Sequence, residues 1–155
     1  MNREALEQLL AAVAAGEATP AAALERLAWL PVEEVGEGDS FARLDHHRSL
    51  RLGFPEVVFA EGKTPEQTAE ICRRLAAHTG GFFATRVNAQ AQALLAESFP
   101  AAHINTTGRT AWLEAPDAVR YTELPPVAVL SAGTSDLPVA EEAAETVRAF
   151  GHDVA

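Results

Sequence analysis

Apolar residues recur along the chain with two different periods, and the change between them lays out its organisation. Leu6, Leu9, Leu10 and Val13 follow the i, i+3, i+4, i+7 spacing of one helix face. That spacing predicts an amphipathic helix over residues 3–15, ending near Gly16. Thr19-Pro20 supplies an N-cap and a first-turn proline for a second helix reaching about residue 28. Leu24, Leu27 and Leu30 form its apolar stripe. Two short helices joined by a short loop make a helical hairpin, suited to packing or oligomer contact rather than chemistry. Residues 31–40 are acidic and glycine-bearing, in the manner of a linker.

From residue 56 onward, short apolar runs alternate with helical stretches. Glu56-Val57-Val58-Phe59-Ala60-Glu61 reads as a strand, left through the turn Gly62-Lys63-Thr64. Thr64-Pro65-Glu66-Gln67 is a capping box with proline at the first helical position, predicting a helix over residues 65–78. Gly80-Gly81 ends it. Phe82-Phe83-Ala84-Thr85-Arg86 is a short strand, Asn88 caps a helix through about residue 99, and residues 103–113 make two strands around a turn at Gly108. The alternation of strand and helix predicts βαβ units and an α/β class with a short, mostly parallel sheet. Residues 1–120 therefore read as a helical hairpin followed by a small α/β domain.

Residues 114–126 carry Pro116, Pro125 and Pro126 with few apolar positions, the composition of an interdomain linker. Val127-Ala128-Val129-Leu130 is an uninterrupted apolar run, expected of a strand buried on both faces. A small-residue loop, Ser131-Ala132-Gly133-Thr134-Ser135, leads into a helix over residues 136–150 that stops at Gly151, and Val154 would begin another strand. One strand and one helix do not bury their own apolar faces. Residues 121–155 are thus expected to be a linker and the first strand–helix unit of a doubly wound second domain, cut short in this sequence.

Composition narrows the partners. At 155 residues and 48% hydrophobic, the chain has the means to bury a core. A formal charge of −10 argues against nucleic acid or an anionic membrane as a binding surface. No apolar run approaches the ~18 residues of a membrane span, and the amino terminus lacks a signal-peptide core. The cytoplasm is the expected compartment. The single Cys72 excludes an intramolecular disulfide and any multi-cysteine metal site, and its helical surroundings predict a buried structural thiol. The adjacent His46 and His47 would point in different directions on a helix, so no metal ligands are assigned.

With only 12 Lys plus Arg in the chain, finding Arg48, Arg51 and Lys63 together is informative. If residues 45–51 make two helical turns, Asp45, Arg48 and Arg51 share a face. Two guanidiniums oriented by one carboxylate would clamp a carboxylate or phosphate. A surface ion-pair cluster is the alternative. Gly53-Phe54-Pro55 must break that helix. The later strand–loop–helix junction is a second anion site in form, because free amides and the helix dipole face the loop. Its plainer reading is an ordinary βα turn with Ser135 or Asp136 as the cap.

The string Asp45-x-x-Arg48-x-x-Arg51-x-Gly53-x-Pro55-Glu56-Val57, followed by Gly62-Lys63-Thr64, resembles the signature of the LarB family. Ser131-Ala132-Gly133-Thr134-Ser135-Asp136-Leu137-Pro138-Val139-Ala140-Glu141-Glu142-Ala143 resembles the first turn of that family's second domain, which is similar to PurE-type aminoimidazole ribonucleotide carboxylases. The resemblance implies a pyridinium-3,5-biscarboxylic acid mononucleotide synthase in nickel-pincer nucleotide cofactor biosynthesis. Such an enzyme carboxylates the pyridinium ring of nicotinic acid adenine dinucleotide with CO2 or bicarbonate. It also hydrolyses the phosphoanhydride to release AMP, with a divalent metal such as Mg2+ aiding hydrolysis. A second-domain cysteine adds to the ring in that family, and Cys72 does not match its place.

Carried over by position, the resemblance implies Arg48 and Arg51 on substrate carboxylate or phosphates. Asp45 would be their orienter or a proton acceptor, Lys63 a neutralising cation, and Thr134, Ser135 and Asp136 the phosphate and ribose ligands. Glu56 is structural or catalytic, and Arg86 and Thr107 are weaker candidates. Homo-oligomers are common among PurE-like domains. Two other readings stay open, a nucleotide-binding or interaction module without chemistry and a purine-pathway carboxylase or mutase.

Overall fold

The computed structural model describes residues 3–27, 33–35, 41–45 and 56–155. The chain divides into two compact units, Met1–Glu56 and Val57–Ala155. That division follows packing, whereas the expected boundary near residue 120 follows the proline-bearing composition of residues 114–126.

In the first unit, α1 spans Arg3–Ala14 and α2 spans Pro20–Leu27. The Ala22 amide donates to Thr19 Oγ1 at 3.1 Å, the expected cap. Leu9 and Ala23 are buried, while Leu10 and Leu24 are exposed. The acidic stretch expected to be a linker contains β1 (Glu33–Val35), which pairs antiparallel with β2 (Ala42–Leu44). Val35 and Leu44 are buried, so this two-stranded ribbon has an apolar side. The sparse hydrophobicity of Glu33-Glu34-Val35 hides the strand from a periodicity reading.

The second unit is built on a four-stranded sheet in the order β3–β4–β6–β5. Its strands are β3 (Val57–Phe59), β4 (Phe82–Thr85), β5 (His103–Asn105) and β6 (Thr110–Leu113). β3 and β4 are parallel, joined by helix α3 (Pro65–Thr79). The β4–β6 and β5–β6 pairings are antiparallel. The sheet is therefore mixed, where a mostly parallel one was expected. The physical reason is connection length: the short turn between β5 and β6 permits only a hairpin, since a parallel return needs a crossover of a dozen residues or more.

The local signals behave as their chemistry dictates. Thr64 and Gln67 form a reciprocal capping box at the start of α3, and Gly80 closes it in left-handed geometry with φ 80°. Asn88 Oδ1 accepts the Ala91 amide at 2.9 Å to start α4 (Ala89–Ser98). Helix α5 spans Leu137–Ala149.

Adjacent strand residues point to opposite faces, which fixes the layers. Phe82 packs on Phe99 at the end of α4, with ring centroids 5.0 Å apart. Its neighbour Phe83 packs on Phe150 at the end of α5, at 5.7 Å. So α4, and α3 beside it, cover one face, and α5 covers β4 and β6 on the other. Every residue of β4 is buried. On β3 only Val58 is buried, and Val57 and Phe59 are exposed on the α5 side.

The apolar run at residues 127–130 has one strand neighbour among the described residues of this sequence. Val127 pairs parallel with Val154, and Ala155 exchanges backbone bonds with Val127 and Val129. Yet Val127 is 41% exposed and Leu130 92% exposed, so the segment is not buried on both faces. A single bridging neighbour covers one edge and neither face.

Candidate functional site

The carboxyl ends of β3 and β4 lie side by side, the position at which open α/β sheets present ligand sites. Backbone bonds tie the turns there together. The Ala60 amide donates to Thr85 O at 2.9 Å, Lys63 N donates to Ala60 O at 3.0 Å, and Val87 N donates to Arg109 O at 2.8 Å. Lys63 Nζ donates to Phe59 O at 2.7 Å. That bond fixes the amine at the end of β3 and leaves two of its three donors for other acceptors.

Arg86 follows β4 directly and has φ 56°, and Arg109 precedes β6 with φ 53°. Both are in left-handed geometry, which costs a side chain with a Cβ about 1–2 kcal/mol. The pair is held by the 2.8 Å amide bond above and by Arg109 Nη2 donating to Arg86 O at 3.1 Å. The Arg86 guanidinium reaches across to α5, where its Nε donates to Glu142 Oε1 at 3.2 Å.

Three more contacts dock α5 on this end of the sheet. Asn105 Nδ2 donates to Glu141 Oε2 at 2.8 Å, and Asn105 Oδ1 accepts the Gly108 amide at 2.7 Å. Trp112 Nε1 donates to Glu145 Oε2 at 2.7 Å, while the Trp112 ring stacks on His103 with centroids 4.0 Å apart. At Gly108, an added Cβ would meet Glu142 N at 2.8 Å and the Glu141 carbonyl carbon at 2.9 Å. The turn thus touches the helix backbone, a spacing only glycine allows.

Because Glu142 meets Arg86 and Phe150 meets Phe83, α5 runs antiparallel to β4. Its amino terminus points to the carboxyl end of that strand. Thr134, Ser135 and Asp136 lie just before it and are exposed. Ser135 Oγ donates to Asp136 Oδ1 at 3.3 Å. Asp136 is the N-cap residue, but its side chain makes no capping hydrogen bond, unlike Thr64 and Asn88. The ordinary cap expected at this turn is absent among these residues, and its carboxylate and hydroxyls face solvent.

The other candidates fall elsewhere. Asp45 directly follows β2 within the first unit and is half-buried. Arg48, Arg51, His46 and His47 lie outside the described residues. Glu56 is half-buried, and Thr107 is exposed in the β5–β6 turn. Cys72 is fully buried in α3, and burial pushes its thiol up to about 12. It is a structural thiol, as its surroundings predict. Among the described residues, no group of three or more His, Cys, Asp or Glu is arranged to hold a metal ion, and no helix is long and apolar enough to cross a membrane.

Sequence reasoning missed Arg109, Asn105, Glu141 and Glu142. The spacing Asn105-x-x-Gly108 carries a local signal for the side-chain-closed turn. The Arg86–Glu142 pair, 56 residues apart, carries none.

An uncharacterized protein of Methanocaldococcus jannaschii is 29% identical over 115 residues, covering 70% of this chain and 44% of the relative. The chain thus spans less than half the length of that relative. The family model described as the LarB/PurE-like N-terminal domain matches residues 33–115, more than half of the chain and all of its α/β sheet. The chain belongs to the LarB/PurE-like N-terminal domain family.

Proposed function

We propose that this chain carries a substrate-binding part of a carboxylase-type enzyme acting on nicotinic acid adenine dinucleotide in nickel-pincer cofactor synthesis. The observation that carries the reading is the family match over residues 33–115, which includes the Asp45, Arg48, Arg51 and Lys63 motif. The site geometry supports it. Lys63 stands at the carboxyl end of β3, and the Thr134-Ser135-Asp136 loop leads into α5, whose amino terminus points to the neighbouring end of β4. A phosphoanhydride needs a cation and hydrogen-bond donors, and this edge supplies Lys63, the two hydroxyls and helix amides. Asp136 is an acceptor for ribose hydroxyls. Arg48 and Arg51 are assigned to the dianionic pyrophosphate or the nicotinate carboxylate, with Asp45 orienting them or accepting a proton.

In the complete reaction, CO2 or bicarbonate is added to the pyridinium ring, and the phosphoanhydride is hydrolysed to release AMP. An electron-poor ring needs prior addition of a thiolate before it attacks CO2. The thiol in this chain is unsuited to that work, being sealed inside α3 with its acidity suppressed. This favours a binding role for these residues, and the same observation supports the second reading, a nucleotide-binding module without chemistry. A homo-oligomer and a cytoplasmic setting accompany the proposal.

Calorimetric titration with nicotinic acid adenine dinucleotide tests it. The parent chain is expected to bind, and the Arg48→Ala, Arg51→Ala double variant to bind at least tenfold more weakly. A parent that does not bind overturns the proposal.

A further inference from the structure

The carboxylates of α5 form a row, Glu141, Glu142 and Glu145, and each accepts a hydrogen bond from a different strand or turn of the sheet. Glu141 takes Asn105 of β5, Glu142 takes Arg86 after β4, and Glu145 takes Trp112 of β6. Glu145 is held from its other oxygen by Arg148 Nη1 at 2.7 Å. Asn105 is itself anchored from the opposite face, where Gln92 Nε2 of α4 donates to Asn105 O at 2.9 Å. The row therefore links both layers of helices through the sheet.

Apolar packing alone would leave α5 free to slide along its axis, because only Ala144 on it is buried. The three polar contacts are directional, and the Gly108 contact leaves no room between turn and helix. Together they set the register of α5, and with it the place of the loop that ends at Asp136. Arg86 adopts left-handed backbone in reaching its carboxylate, a conformation persisting only where the surroundings over-determine it.

We infer that Glu142 and Glu141 are positioning residues, with Arg86 and Asn105 as their partners. Their function is to hold the Thr134-Ser135-Asp136 loop at the carboxyl end of β4, where it meets a phosphate-bearing ligand. This rests on the proposed role of that loop. It gives the sheet a task distinct from touching the ligand: it is the platform that sets the loop.

The test is a charge swap read by titration with nicotinic acid adenine dinucleotide and by thermal melting. Arg86→Glu and Glu142→Arg are each expected to weaken binding at least fivefold, and the double swap to recover most of it. Glu142→Gln keeps an acceptor and the side-chain shape, and is expected to bind two- to fivefold more weakly with a melting temperature near the parent's. Recovery by the swap is the readout that general loss of packing would not give. A Thr134→Ala, Ser135→Ala variant runs alongside. If it loses binding while Glu142→Gln and both swaps bind as the parent does, the positioning role is overturned and the loop's role stands. If neither single swap is rescued by the double variant, the positioning role is likewise overturned. A parent chain that binds nothing overturns both.

Discussion

Replacing Gly108 with alanine probes a close approach between the β5–β6 turn and α5. The added Cβ would lie 2.8 Å from Glu142 N, 2.9 Å from the Glu141 carbonyl carbon and 3.1 Å from Glu141 Cβ. Real Cβ atoms do not sit that close to backbone, so the turn or the helix must move by several tenths of an ångström. The turn is not free to yield, because Asn105 Oδ1 holds the Gly108 amide at 2.7 Å. Gly108 does not occupy left-handed backbone, so the cost is steric rather than conformational. Forced overpacking of this kind costs about 1–3 kcal/mol. For a chain of this length that is a fall in melting temperature of roughly 2–12 °C. Displacement of α5 would also stretch the Trp112 Nε1–Glu145 bond. The assay is therefore thermal unfolding followed by tryptophan emission in a Trp29→Phe background, so that Trp112 alone reports. A red-shifted Trp112 with a lowered midpoint is expected. A Gly108→Ala variant with the parent's midpoint and emission would refute the packing of α5 on the β5–β6 turn.

Other outcomes follow from single groups. Cys72 should resist thiol reagents in the native chain and react on unfolding. Its folded value near 12 exceeds its ordinary 9.0, so above about pH 9 the unfolded state ionises first. Stability should then fall with pH between about 9 and 12 by up to about 1.4 kcal/mol per unit; a Cys72→Ala variant with an equally steep alkaline loss would contradict this. Thr64→Ala removes one half of the reciprocal box that starts α3 and should cost about 0.5–2 kcal/mol in denaturant unfolding, with an unchanged midpoint as the refuting result. This chain should carry out no ring carboxylation of nicotinic acid adenine dinucleotide in a bicarbonate-fixation assay. Measurable product would mean that the reaction does not need an accessible thiolate.

Much of the second unit was legible because its signals are local. The Thr64–Gln67 box, the Asn88 cap, the Gly80 stop and the Gly108 turn each act within four residues, and the elements they bound fall within a residue or two of expectation. What failed was non-local. The pairing of β1 with β2 joins an acidic stretch to a strand seven residues on, and no hydrophobic period marks it. The antiparallel β4–β6 pairing came from a strand order that sequence does not print.

The candidate site divides in the same way. Lys63 and the loop at Thr134, Ser135 and Asp136 are candidates from turn chemistry and resemblance. Arg109, Glu141 and Glu142 became visible only through contacts spanning 23 to 56 residues.

Ligand anions are proposed to meet the carboxyl ends of β3 and β4. Amide chemical shifts recorded while nicotinic acid adenine dinucleotide is added to the 15N-labelled chain test it most directly. Saturating shifts are expected to centre on Gly62 and Lys63, Arg86 and Val87, and Gly133 to Leu137, with α3 around Glu70 to Arg74 unmoved. Shifts centred on α3, or none at millimolar dinucleotide, would contradict it.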